Sequence, residues 1–389
     1  MISARGRVRA VAVSVAAIWC LSWMRGAWAA QQPRAIAEPA AAHTRFTDTE
    51  RLNAIRRAQV WMPTDIPSMD LKAGPPGPGS FAPEQLVSCD YMVHERRGHT
   101  AKFWCAVTPQ DVVKVRYRPH NGEVYAQVAA TRLFWALGFG ADRAYPVKVA
   151  CRGCSQNPWA NDVGAKSRMS VFFDPATIDR KMSGDELETT HLEGWAWKEL
   201  DLVDEATGGA SLAQRDALKL LAVFVQHTDS KRSNQALTCL DEQFRGVQQR
   251  SNNTGQSAID AEHEGCAHPF MMVRDLGNTF GHANVFSRNV PSSVNFEKWS
   301  QTQVWRSDGK AMCVGHLSGS IGGTLDDPRI SEAGRKFLAD LLVQLSDAQL
   351  HELFETARFT RRDSAHTVDE WVTAFKQKRD EIVKMSCPP

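Results

Sequence analysis

At 389 residues, 43% hydrophobic and 23% charged, the chain has the composition of one large or two ordinary folded domains. That excludes collagen-like, coiled-coil and wholly disordered readings. The formal charge of +2 is small, and losing the acid-free residues 1–29 with Arg5, Arg7, Arg9 and Arg25 turns it to −2, so nothing points to a nucleic-acid partner.

Residues 1–29 read as a signal peptide for secretion. Arg5, Arg7 and Arg9 precede an apolar run over 10–24, and Ala27-Trp28-Ala29 places small residues two apart, as cleavage after Ala29 requires. Fifteen helical residues span about 22 Å against a hydrocarbon core of roughly 30 Å, too short for a stable membrane anchor. Nine cysteines without Cys20 leave eight: Cys89, Cys105, Cys151, Cys154, Cys239, Cys266, Cys313 and Cys387. In an oxidising compartment that even number forms up to four disulfides. Cys151 and Cys154 alone also fit half a zinc site or a redox pair, but no second CxxC completes a zinc site. The predicted location is outside the cytoplasm, periplasmic or extracellular.

Residues 30–80 read as a partly disordered linker: an Ala/Pro/Gln tract, a helical stretch at 50–60, then the breaker run GPPGPGS at 74–80. β-favouring runs at 86–93, 102–107 and 112–117 predict consecutive antiparallel strands. In 121–140 the period changes. Val124, Val128, Leu133, Trp135 and Leu137 fall largely on one helical face, and Gly138 and Gly140 stop it. A strand over 144–150 follows. The second half is mainly helical, with helices predicted over 211–227, 331–344, 346–357 and 367–385. Ser211 is placed to cap the first, and Ser346 with Gln349 and Thr367 with Glu370 have capping-box spacing. A polar insertion at 241–264 lies between Cys239 and Cys266, which are expected to pair because its ends would lie on neighbouring strands. The fold class is α+β.

Directly after the helix at 211–227 stands HxDxKxxN, as His227, Asp229, Lys231 and Asn234, and an apolar strand at 270–273 then delivers Asp275-Leu276-Gly277. Four fixed identities at set spacing arise by chance in about one chain in 400 of this length. Phosphoryl transfer needs few protein groups, and these suit it. Asp229 can orient an acceptor hydroxyl and take its proton, and Lys231 can neutralise charge on the moving group. The oxygens of Asn234 and Asp275 suit Mg²⁺ (or Mn²⁺). His227 reads as a buried structural histidine.

The loop and the strand-DLG resemble the catalytic and metal-binding loops of the protein-kinase-like superfamily. VVKVRYRPHNGEVYAQVAATRLFWALGFGADRAYPVKV, at 112–149, resembles the lysine strand and following helix of its atypical branch: HipA-type kinases, secretory-pathway protein kinases and phosphatidylinositol kinases. The resemblance runs over about 85–285. It implies a two-lobed protein-kinase-like fold, with a small β-rich N-lobe carrying one long helix at 81–154. A larger, mainly helical C-lobe follows at 155–389. It also implies ATP with Mg²⁺ or Mn²⁺, and a hydroxyl acceptor on protein Ser/Thr, lipid or glycan.

Residue by residue, the resemblance makes Asp229 the base, Asn234 and Asp275 the metal ligands, and Lys114 the holder of the α and β phosphates. Lys114 and Arg116 share a strand face and either fits; the flanking Val113 and Val115 favour Lys114. Three departures stand out. No GxGxxG precedes the lysine strand, leaving Gly98 alone to make a phosphate-covering turn. Gln127 stands where the helix glutamate belongs, so Glu123, one turn earlier, is the substitute counter-charge. The gap from Asn234 to Asp275 is long, which the insertion explains. An exported kinase and a secreted pseudokinase scaffold are the two readings, with a cysteine-rich binding module as a third. Residues 155–210 and 281–330 identify no acceptor.

Overall fold

Strands alternating in and out between residues 86 and 180 close on themselves. In the computed structural model, β1 (Leu86–Met92), β2 (Lys102–Thr108), β3 (Asp111–Tyr117), β4 (Arg143–Arg152) and β5 (Ser170–Arg180) form a closed barrel in the order β1-β2-β3-β5-β4. It describes residues 46–388 apart from 95–97, 99, 161–169, 242–265, 282–292, 307–312 and 319–322, so the signal peptide and most of the 241–264 insertion lie outside the described residues. Neighbouring strands are antiparallel except β1 and β4, which run parallel. Phe103, Val113, Val115, Tyr117 and Phe173 fill the interior. Period-two alternation therefore turns Lys102, Lys114 and Arg116 to the outer surface.

Two expectations change. The small β-rich part does not end at 154, because β5, from a stretch without a sequence signal, completes a closed barrel. Residues 46–80 are not a linker. α1 (Asp48–Arg57) starts from a Thr47/Glu50 capping box, and Ala54, Ile55, Val60, Ile66 and Leu71 lie in the main core. The breaker run is a strap held by arginines. Proline cannot donate, so the strap's carbonyls meet donors instead. Arg132 Nε donates to Leu71 O (3.1 Å), Tyr145 Oη to Pro75 O (2.6 Å), Arg143 Nη2 to Pro78 O (3.2 Å) and Arg180 Nε to Gly79 O (3.0 Å). A Cβ on Gly74, at φ +79°, would sit 2.7 Å from the Arg132 guanidinium, so glycine is what lets the strap approach.

α2 (Glu123–Ala136) is not one-faced as predicted. All its residues but Trp135 are buried, so it is packed on every side. The remaining elements are α3 (Leu212–Phe224), α4 (Phe296–Gln301), α5 (Glu332–Leu342), α6 (Asp347–Thr356), α7 (Phe359–Arg362) and α8 (Val368–Lys384). With them is an antiparallel sheet of β6 (Asp185–Glu186), β7 (Gln235–Cys239) and β8 (Pro269–Val273). Ser211, Ser331, Ser346 and Thr367 each cap a helix by accepting from the N3 amide, which stabilises each by about 1 kcal/mol. Phe280, just past the DLG, packs edge-on against Trp299, Phe354 and Phe359 and so anchors that segment in the core.

All eight cysteines after Cys20 are in disulfides: Cys89–Cys105, Cys151–Cys154, Cys239–Cys266 and Cys313–Cys387. The CxxC is thus a bridge and not half a zinc site, and Cys239–Cys266 joins the ends of the insertion. Among the described residues no helix is long and apolar enough to cross a membrane.

Candidate active site

The HxDxKxxN segment leaves the end of α3 and is pinned from several sides. Arg232 Nη1 meets Glu199 Oε2 at 2.7 Å, and Glu199 also takes Arg51 of α1 at 3.0 Å. Ser230 O accepts from Thr324 N at 3.0 Å. His227 is fully buried, and burial holds its pKa down at about 4, so it is neutral at physiological pH and suits a structural place. Asp229 Oδ2 accepts from Lys231 Nζ at 3.1 Å.

Two motifs far apart in the chain meet through strand pairing. β7 and β8 place Gln235 opposite Val273, so the residues just outside the sheet, Asn234 and Arg274-Asp275, are adjacent. Asn234 O accepts from Arg274 N (2.8 Å) and Asp275 N (3.1 Å). Asn234 Nδ2 donates to the main-chain oxygen of Asp229 at 2.6 Å, which leaves Oδ1 as the amide atom to offer a cation. The Asp275 carboxylate accepts from Gly277 N at 3.2 Å and from Arg116 Nη2 at 3.0 Å, and retains lone pairs beyond these. Hard oxygen donors of this kind fit Mg²⁺ or Mn²⁺.

The outer surface of the barrel supplies the cations, Lys114 and Arg116 on alternate positions of β3. Arg116, not Lys114, occupies the buried position against α2. Its guanidinium binds Glu123 Oε2, Asp179 Oδ2 (2.8 Å) and Asp275 Oδ2 (3.0 Å). Lys114, a quarter exposed, pairs with Asp179 at 2.9 Å. The planar fork of arginine bridges three carboxylates, which a lysine point charge cannot do. Burial pushes against ionisation of Asp275, but Arg116, Lys114 and Lys102 outweigh it and hold the carboxyl well below the usual range. Asp179 is likewise lowered, by Arg116 and Lys114 against burial. At Glu123 burial wins over Arg116, and its pKa is raised.

Gln127 is not a vacant counter-charge. Its Oε1 accepts from Leu276 N (2.8 Å) and its Nε2 donates to Arg274 O (3.2 Å), clamping the main chain on both sides of Asp275. Gln127→Glu removes that donor and buries a charge facing a carbonyl. A loss of about 1–3 kcal/mol is expected, seen as a lowered urea midpoint at unchanged m-value.

Gly98 lies in the β1–β2 connection at φ +84°, and a Cβ there would come 2.9 Å from Lys102 Nζ. Sequence reasoning missed Lys102 and Asp179. Lys102 becomes visible only once β2 and β3 are paired, opposite Arg116. Asp179 sits on the unanticipated β5. Burial and the neighbouring Arg116 lower the Lys102 ammonium pKa.

No family model and no curated protein matches the chain. Among solved structures it is similar to a Helicobacter pylori proinflammatory kinase, CtkA, at 10% identity and a TM-score of 0.35, over 76% of this chain and 99% of that one. A likeness this slight decides nothing about activity, which rests on the site residues themselves.

Proposed function

We propose that the chain is an exported, two-lobed, protein-kinase-like enzyme that transfers the γ-phosphoryl group of ATP to a hydroxyl acceptor. The observation that carries this reading is the junction of HxDxKxxN with DLG at Asn234–Asp275, beside the Arg116–Glu123 pair of barrel and α2. Asp229 takes the acceptor's proton as the acceptor oxygen bonds to the γ-phosphorus and the bond from that phosphorus to the β–γ bridging oxygen breaks, releasing ADP, with Lys231 beside it to balance negative charge. Asn234 Oδ1 and Asp275 are the atoms that would hold Mg²⁺ or Mn²⁺, which when bound would neutralise charge on the nucleotide phosphates. Arg116 keeps α2 and Asp275 fixed relative to the barrel. Four disulfides fit an oxidising compartment, and residues 1–29 fit the route to it.

The ion pair of Asp275 with Arg116 favours a second reading, a pseudokinase scaffold whose metal ligand stays engaged by the protein. The kinase reading requires nucleotide binding, and the scaffold reading does not. Mg·ATP at 100 times its Kd should stabilise the wild type by about 2.7 kcal/mol. Asp275→Ala should lose the metal-dependent part while folding normally, because Arg116 keeps Glu123 and Asp179. Failure of ATP to raise the wild-type Tm at any Mg²⁺ or Mn²⁺ concentration would remove the kinase reading and leave the scaffold and binding-module readings.

A further inference from the structure

We propose that Lys102, on β2, is the ammonium that contacts the nucleotide phosphates; the proposal rests on the kinase-like reading above and assigns a contact that the lysine strand β3 does not supply. On β3, Arg116 is bound by Glu123, Asp179 and Asp275, and Lys114 is held by Asp179 at 2.9 Å. In the catalytic loop, Lys231 is on Asp229 at 3.1 Å. Lys102 pairs in register with Arg116, so the two side chains leave the same face of the β2–β3 ribbon a few ångströms apart. Among the described residues no carboxylate or hydrogen-bond acceptor meets its Nζ.

Asp275 and Glu123 attract this half-buried ammonium without meeting it, while burial and the neighbouring Arg116 and Lys114 oppose its charge, so it is incompletely compensated until an anion arrives. Gly98 lies close to Nζ, and a Cβ there would come within 2.9 Å of the ammonium, so glycine leaves that space open. A compact charge with three rotatable donors suits a polyphosphate, whose oxygens differ little in direction.

The test uses the full mature, oxidised protein, titrated calorimetrically with Mg·ATP and with adenosine. Lys102→Met should weaken Mg·ATP about 10- to 100-fold, the range of a hydrogen bond to a charged group, and leave adenosine unchanged. Lys102→Arg should restore most of the affinity. Without nucleotide, Lys102→Met should melt no lower than wild type, since burial and Arg116 outweigh the attraction of Asp275 and Glu123 for the ammonium; a merely structural lysine would do the opposite. Unchanged Mg·ATP binding in Lys102→Met, with a wild type that binds, overturns the role of Lys102 alone. Equal losses for ATP and adenosine, or a lowered nucleotide-free Tm, also overturn it. A wild type that binds no Mg·ATP removes both this role and the reading beneath it.

Discussion

Asp229→Ala should lower phosphoryl transfer by about 10²–10⁴-fold while Mg·ATP affinity stays near that of the wild type. The separation of the two effects follows from which atoms of Asp229 do what. Its carboxylate touches Lys231, whereas its main-chain oxygen accepts from Asn234 Nδ2 at 2.6 Å. Alanine deletes the carboxylate and keeps the main-chain oxygen, so Asn234 remains oriented toward a cation. Single-turnover transfer from γ-labelled ATP, set beside a binding titration, measures both quantities. Transfer unaffected by the substitution would refute Asp229 as base.

Arg116→Met should cost about 3–5 kcal/mol, the usual result of removing one partner of a buried ion pair. Arg116 is fully buried, and without its guanidinium Glu123, Asp179 and Asp275 face one another. The penalty should depend on pH, with a definite sign. In the wild type Asp275 and Asp179 are held below their ordinary values. Their contribution is therefore present above about pH 4, where unfolded carboxylates ionise, and is lost as pH falls through the folded values. Glu123, raised by burial, works the other way and favours the folded state more as pH falls. Removing the guanidinium pushes all three carboxyls upward, so the variant gains stability on acidification. The gap between wild type and Arg116→Met should be smaller at pH 5 than at pH 8 in urea melts. A gap independent of pH would mean that the three carboxylates are not what Arg116 compensates.

The choice between Lys114 and Arg116 shows where local sequence stops being informative. Both sit at alternate positions of one strand with valines between them, so strand period and flanking residues treat them alike. What separates them is Glu123 on α2 and Asp179 on β5, the latter 63 residues away along the chain. β5 itself is illegible because Pro175 interrupts its apolar run, and proline counts against a strand interior. The strap at 74–80 misleads for a related reason. Its glycines and prolines mark an end to regular structure, but they do not say whether Arg143 and Tyr145 of β4 and Arg180 of β5 will hold the carbonyls. By contrast, five strands and the helices begun by Ser211, Ser331, Ser346 and Thr367 are readable, because period and cap are properties of neighbours in sequence. The meeting of Asn234 with Asp275 lies between these cases. Each motif is visible, and the β7–β8 pairing that joins them depends on the ends of an insertion bridged by Cys239–Cys266.

Phosphoryl transfer at the junction of HxDxKxxN with DLG is open to direct measurement. Its most direct measurement is incubation of the purified oxidised protein with γ-labelled ATP and Mg²⁺ or Mn²⁺, alone and with a panel of protein, lipid and glycan hydroxyl acceptors. The expected result is label on the protein or on one acceptor class, dependent on the metal and lost in both Asp229→Ala and Asp275→Ala. Metal-dependent ATP binding with no label on any acceptor would contradict such transfer and leave a nucleotide-binding scaffold.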